Sequence, residues 1–258
     1  MSSHSIKNIV RKSFLYRVYR NYLLMQDLTN WSIHDREMLE FYSQFVSSGK
    51  LCFDVGANIG NRVKILLALG ASVVAVEPQE ECVQILKKVF GKKQQLSIIP
   101  SALGEREGEA EIMISNSNTL SSMSTEWVQA VKDSGRFSEY VWEKKQKIHL
   151  TTLDSLIERY GTPDFIKIDV EGFEYQVLRG LSQSVPLISL EFVPERIEPT
   201  LKCIDYLANL GEIRLNHSFG ESMQFSLESW VEPEEMKKLL SNISGKHDLF
   251  GDVYIKSR

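Results

Sequence analysis

The residues best placed to do chemistry begin with Phe53-Asp54-Val55-Gly56-Ala57-Asn58-Ile59-Gly60, a glycine-bearing turn between an apolar run and a helical pattern. Gly56 and Gly60 allow a tight turn and a close backbone approach to a ligand, and a helix starting there offers unpaired N–H groups. Asp54, at the end of the run, is suited to a ligand cation or amine. Seventeen residues beyond Gly60, Glu77 closes a second apolar run. A carboxylate there accepts hydrogen bonds from both hydroxyls of a ribose, so loop and acid together suit a nucleotide-like ligand. The residues can also be read as a plain βα turn with Glu77 capping a strand before Pro78. A dinucleotide fold shares the acid-on-ribose arrangement and leaves a nicotinamide-dependent oxidoreductase as the alternative. Its G-x-G-x-x-G fingerprint, however, needs glycines where this chain has Asn58 and Asn61. No G-x-x-x-x-G-K-[ST] string occurs, which excludes a P-loop.

A second group is acidic. Asp169 and Glu171 stand two apart where an apolar run ends, and Glu191 closes Ile188-Ser189-Leu190-Glu191-Phe192. If both runs are parallel strands, all three carboxylates lie at the same edge of the sheet, within reach of a reacting hydroxyl as general bases. Glu171 can alternatively serve the first turn of the helix after Gly172. Lys167 alternates with Asp169 and is read as a pairing cation outside the site. The three carboxylates offer a divalent cation that orients a diol as an alternative, but no metal is expected, because oxygen-ligand sites lack a sharp spacing outside loops such as the EF-hand. Among the histidines, His34 and His217 are the two that could line a cleft, while His4, His149 and His247 fall in terminal, edge-strand and polar-tail positions. Trp127, Phe137, Tyr140 and Trp142 suit stacking on an acceptor, or equally a lid packing on its own domain.

These residues need a scaffold, and the pattern supplies an α/β one. Strands are expected at 51–55, 72–77, 96–100, 165–170 and 187–192, alternating with helices at 59–69, 79–90, 153–159, 173–181 and 199–209. That alternation is the pattern of a parallel sheet covered by helices. An extra strand is expected at 109–114, a long inserted loop at 116–146, further strands at 213–216, 223–227 and 252–256, and a helix at 233–242. Residues 1–49 read as a helical extension and 50–258 as one domain.

Three motifs carry a family resemblance: FDVGANIG at 53–60, VVAVEP at 73–78, and TTLDSLI at 151–157 with DFIKIDVEGFEYQVLRG at 164–180, supported by ALGEREGEAE at 102–111. In this order and spacing the chain resembles the FkbM family of S-adenosylmethionine-dependent methyltransferases over roughly residues 50–195. The resemblance implies a class I methyltransferase fold, Rossmann-like, with a seven-stranded, mostly parallel sheet whose last strand, at 252–256, is antiparallel. It also implies that Gly56, Asn58 and Gly60 hold the methionine part of the cofactor, that Glu77 binds the ribose and that Ala102 lies near the adenine. Asp169 would face the methionine amino group or the acceptor. Family members commonly methylate hydroxyls of small metabolites or sugars, so O-methylation is the expected reaction. A non-catalytic binding module with the same fold is a further alternative.

Composition narrows the classes. The chain has 258 residues, a formal charge of −4 and 43% hydrophobic residues, an ordinary globular balance. Its three cysteines, Cys52, Cys82 and Cys203, stand far apart and suggest neither a disulfide framework nor a zinc site. Small core thiols of this kind fit a reducing, cytoplasmic setting. The longest uncharged apolar run, 65–76, is too short to span a bilayer, and cations interrupt the N-terminus where a secretion signal needs a continuous apolar core. Lys7, Arg11, Lys12, Arg17 and Arg20 make that arm basic against an acidic body, which disfavours nucleic acid as a partner. Ile6, Val10, Phe14, Val18 and Tyr22, widened by Leu15, Tyr19 and Leu23, suggest an amphipathic helix that packs on the body, on a second copy, or peripherally on an anionic surface.

Overall fold

The computed structural model describes residues 14–115, 121–133, 140–246 and 249–258. Two helices, α1 (Phe14–Thr29) and α2 (Ile33–Ser43), come first. α2 opens with a capping box: Ser32 Oγ accepts the Asp35 N–H, and the Asp35 carboxylate accepts the Ser32 N–H at 2.7 Å. The same carboxylate pairs with Lys64 at 2.8 Å, docking α2 on the helix that follows the glycine turn.

From β1 (Leu51–Val55) the chain alternates through α3 (Asn61–Ala68), β2 (Ser72–Val76), α4 (Glu80–Phe90) and β3 (Leu96–Ile99). It then runs through β4 (Ala102–Leu103), β5 (Gly108–Ser115), α5 (Thr125–Asp133), β6 (Trp142–Thr151) and α6 (Leu153–Tyr160). The last part comprises β7 (Phe165–Ile168), α7 (Glu174–Leu178), β8 (Leu187–Phe192), α8 (Ile197–Leu210), β9 (Ile213–Phe219), α9 (Pro233–Ser241) and β10 (Gly251–Ser257). Seven strands form one sheet in the order β3-β2-β1-β7-β8-β10-β9, and β4, β6 and β5 form a small second sheet. The pairs β1–β2, β1–β7, β2–β3 and β7–β8 are parallel, and β10 is antiparallel to both of its neighbours.

Period-two alternation sorts the strand side chains onto two buried faces. Phe53, Val55, Val74, Val76, Ile166 and Ile168 join one core, while Cys52, Val73, Ala75 and Phe165 join the other. The chain order reverses between β1 and β7, which leaves a crevice beyond their carboxyl ends, the usual ligand position in an open α/β sheet.

Four expectations are corrected. The stretch read as a loop, 116–146, holds α5 and the start of β6; residues 116–120 and 134–139, Phe137 among them, lie outside the described residues. Residues 223–227 form no strand, because the Asn216 side chain clamps the backbone of Leu227 and Phe225 inserts its ring between Phe41 and Tyr254, at 4.9 and 5.2 Å. His149 is not on an edge strand: β6 lies between β4 and β5. On α1, Tyr19, Tyr22 and Leu23 face solvent at 60, 52 and 40% exposure. The side that packs carries Leu24, Met25 and Leu28, with Asn21 bonded to Glu81. Ile6, Val10, His4 and His247 lie outside the described residues. No helix among the described residues is long and apolar enough to cross a membrane.

Candidate active site

The crevice encloses a cavity of about 290 Å³ whose walls come from the ends of β1, β2, β7, β8 and β10 and from the small sheet. The glycine turn forms one side. Gly56 (φ 83°), Asn58 (φ 49°) and Gly60 (φ 104°) all occupy left-handed backbone. The N–H groups of Gly56 and Ala57 both donate to the Val76 carbonyl at 3.0 Å, stitching the turn to β2.

The two glycines serve packing more than ligand approach. A Cβ on Gly56 would stand 1.8 Å from the Asp169 carbonyl oxygen. One on Gly60 would stand 2.6 Å from Leu86 and 2.8 Å from Phe90 on α4. Gly56 lines the cavity, whereas Gly60 lies outside its lining and closely approaches α4.

Glu77 is 2% exposed. Its Oε2 accepts the Asn58 N–H at 2.8 Å and its Oε1 the Gln79 N–H at 2.7 Å. Burial pushes its carboxyl up to about 7 against the pull of those two bonds and of a third from the Gln79 side chain. Asp54 is also buried, its Oδ2 has no partner, and burial raises its carboxyl to about 6. An orphaned carboxylate oxygen on the cavity wall is a strong site for an ammonium group. Ala102 lines the far side beside Ser101, Ile112 and Met123, a largely apolar surface.

Asp169, Glu171 and Glu191 converge across the crevice, with carboxylate oxygens within 4.8 Å of one another. Asp169 is pushed up by burial but held below the usual carboxylate range by Lys167 at 3.5 Å and Arg62 at 3.3 Å. Lys167, wholly buried in β7, also pairs with Asp252 of β10 at 2.7 Å. Glu191 and Glu171 go the other way. Burial first, then the neighbouring acids, hold both well above the usual range. Glu191 hydrogen-bonds Asp169, which adds to the pull that holds Asp169 below the usual carboxylate range. Glu171 has φ 54°, unusual for a residue with a side chain, and its carbonyl accepts the Ser122 hydroxyl at 2.6 Å. Because two cations already neutralise Asp169, the cluster suits holding and moving a proton better than binding a cation.

The remaining sequence candidates lie elsewhere. His217 packs on Phe219 at 4.8 Å with Nδ1 unpartnered, and burial lowers its titration. His34 is exposed and faces Glu221 at 3.1 Å. Neither lines the cavity. Trp127 is buried against Trp142 and fills the space a side chain at Gly172 would need, so it secures the turn after β7 and does not face the cavity. Cavity residues that sequence reasoning missed include Arg62, Gln79, Phe173, Phe250 and Asp252. Arg62 sits two positions past Gly60 and had a positional signal; Phe250 and Asp252 are brought in only by β10.

Residues 54–240 match the family model described as the methyltransferase FkbM domain. Among curated protein sequences none matches. The solved structures that resemble the chain include a precorrin-6y C5,15-methyltransferase from Geobacter metallireducens, with 10% identity, coverage of 87% of each chain and a TM-score of 0.44. A TehB-like SAM-dependent methyltransferase from Corynebacterium glutamicum is 9% identical over 93% of this chain and 96% of its own, with a TM-score of 0.46. A Streptococcus mutans protein assigned as a methyltransferase, in complex with SAH, is 9% identical over 85% of this chain and 95% of its own, at 0.42.

Proposed function

This chain belongs to the FkbM methyltransferase family, and from that premise we propose that it transfers a methyl group from S-adenosylmethionine to a hydroxyl of a small metabolite or sugar. The observation that carries the hydroxyl reading is the acid cluster: two glutamates poised to exchange a proton, beside an aspartate kept ionised by Lys167 and Arg62.

The cavity fits the cofactor. Asp54, with its orphaned Oδ2, receives the methionine ammonium, and Glu77 receives the ribose hydroxyls. Ser101, Ala102, Ile112 and Met123 take the adenine. Gly56 and Asn58 shape the turn that backs the methionine chain. When bound, S-adenosylmethionine supplies a methyl carbon on a sulfonium sulfur, already electrophilic, and the leaving product is S-adenosylhomocysteine.

The protein's task is alignment, exclusion of water and removal of one proton. Glu171 and Glu191 line the cavity where an acceptor hydroxyl would sit, and whichever of the pair is ionised would take its proton. Lys167 and Arg62 keep Asp169 from competing for that proton. Titration of the protein with S-adenosylhomocysteine, followed by thermal unfolding, tests the cofactor half; at about 100 times its dissociation constant a ligand adds roughly 2.7 kcal/mol. Turnover of polyol and sugar acceptors, lost in Glu191→Gln while the thermal shift remains, tests the other half. Methylation of amines only, with no hydroxyl acceptor turned over, would sink the O-methylation reading.

A further inference from the structure

α1 carries apolar residues on two opposite faces. Leu24, Met25 and Leu28 pack on the body, and Asn21 holds the helix to Glu81 of α4 at 3.1 Å. At about 100° per residue, Tyr19, Tyr22 and Leu23 fall on the far side, and all three are exposed. The corner between α1 and α2 adds Trp31, with Lys64 over its ring at 5.0 Å, and Ile33, the first residue of α2 and 78% exposed. Among the described residues six large apolar side chains are exposed, and five of them lie within residues 19–33. Single exposed apolar residues are ordinary, whereas a concentration on one helix and its corner marks a surface that something covers.

Charge identifies the cover. Residues 1–30 hold Lys7, Arg11, Lys12, Arg17 and Arg20 against one acid, Asp27, in a chain whose formal charge is −4. Tyrosine and tryptophan rings beside aliphatic side chains suit the headgroup level of a bilayer, where the rings enter the acyl boundary and nearby cations meet anionic phosphates. A second copy fits less well. The commonest dimer sets one patch against itself and brings two basic segments together, and five side chains are few beside the roughly 20–30 residues a side of a stable interface.

We propose that α1 and the corner of Trp31 and Ile33 dock the protein peripherally on a bilayer that contains anionic lipid. None of these five residues lines the cavity, so docking stands apart from the cofactor and the acceptor.

The test is flotation of the full chain with vesicles of phosphatidylcholine alone and of equal parts phosphatidylcholine and phosphatidylglycerol. The wild type is expected to bind the anionic vesicles at least about tenfold more tightly than the neutral ones, and to lose that advantage as salt rises. Tyr19→Ser, Tyr22→Ser and Leu23→Ser combined are expected to weaken anionic binding at least about tenfold, with the melting midpoint within a few degrees of wild type. A second readout does not depend on that variant folding: lipid brominated in its acyl chains quenches the wild-type fluorescence, and Trp31→Phe removes most of the quenching. Absence of binding to anionic vesicles overturns the proposal, as does equal binding to both kinds, anionic binding that the triple variant retains, or quenching that Trp31→Phe leaves unchanged. A dimer seen by sedimentation equilibrium and dissolved by the triple variant assigns the face to a second copy and overturns it as well.

Discussion

The two walls of the cavity are built in opposite ways. On one side, Gly56, Ala57 and Asn58 make their contacts through backbone N–H groups to Val76 and Glu77, within about one βαβ unit of sequence. On the other side, Asp169, Glu171 and Glu191 come from two strands and meet through side chains of like charge, steadied by Arg62 and by Lys167 with its partner Asp252. The backbone-built wall is rigid and tolerates little added volume. The side-chain wall is electrostatically tense and responds to protonation. Substitutions on the first wall are therefore expected to act on stability, and those on the second on turnover.

The sharpest break in this contrast is Glu191→Gln. Removing a general base costs about 100- to 10,000-fold in kcat, and here S-adenosylhomocysteine affinity is expected to stay within a few-fold; steady-state kinetics alongside calorimetry separates the two. In the wild type the rate should rise with pH as the raised carboxyls of Glu171 and Glu191 deprotonate, because the ionised form is the base. A rate that falls over the same range would remove the pair from the mechanism.

Gly56→Ala probes the first wall. The new methyl group meets the Asp169 carbonyl and the backbone must hold a positive φ, so the loss is about 3 kcal/mol. For a chain of this size that lowers the melting midpoint by roughly 6 to 12 °C. A melting curve unchanged by this substitution would show that the turn yields.

A smaller effect separates the walls by pH. Glu77 has its folded-state titration raised to about 7 from an ordinary 4.5. Between those values the folded state holds the proton more tightly than the unfolded chain does, so stability is greatest at the acid end and is lost as pH rises through 7. Asp54, raised to about 6, adds in the same direction at slightly lower pH. The ligand-free protein should therefore lose roughly 2 to 4 kcal/mol between pH 5 and pH 8 from these groups, and Glu77→Gln should flatten the pH profile of the melting midpoint. The smallest effect is expected at His34→Ala, where an exposed pair with Glu221 is removed. Stability should move by less than about 0.5 kcal/mol and turnover by less than about twofold, which thermal melts and initial rates can check.

Legibility in the sequence followed the same divide. β1 and β8 begin and end where the apolar runs do, because strands buried on both faces read as continuous β-branched and apolar segments. The turn from Gly56 and the acid at Glu77 were legible for a related reason, since backbone conformation and strand ends leave marks within a few residues. By contrast, β6 was hidden: Lys144, Lys145 and Lys147 break its alternation, and its partners β4 and β5 supply the pairing. Residues 223–227 failed the other way, a strand-like run that Asn216 and the aromatic cluster around Phe225 hold irregular.

The sequence by itself determined the alternation of strands and helices, the glycine turn, the acid that ends β2 and the membership of Asp169, Glu171 and Glu191 in strand ends, all properties set by local period and residue type. Only the tertiary structure decided that Gly60 abuts Leu86 and Phe90 of α4, that Lys167 finds Asp252 across 85 positions, and that Arg62 stands beside Asp169. The reason is physical. Burial, close approach and charge pairing depend on distances between strands that are remote in the chain, and pairings of that kind leave no period and no spacing for the sequence to display.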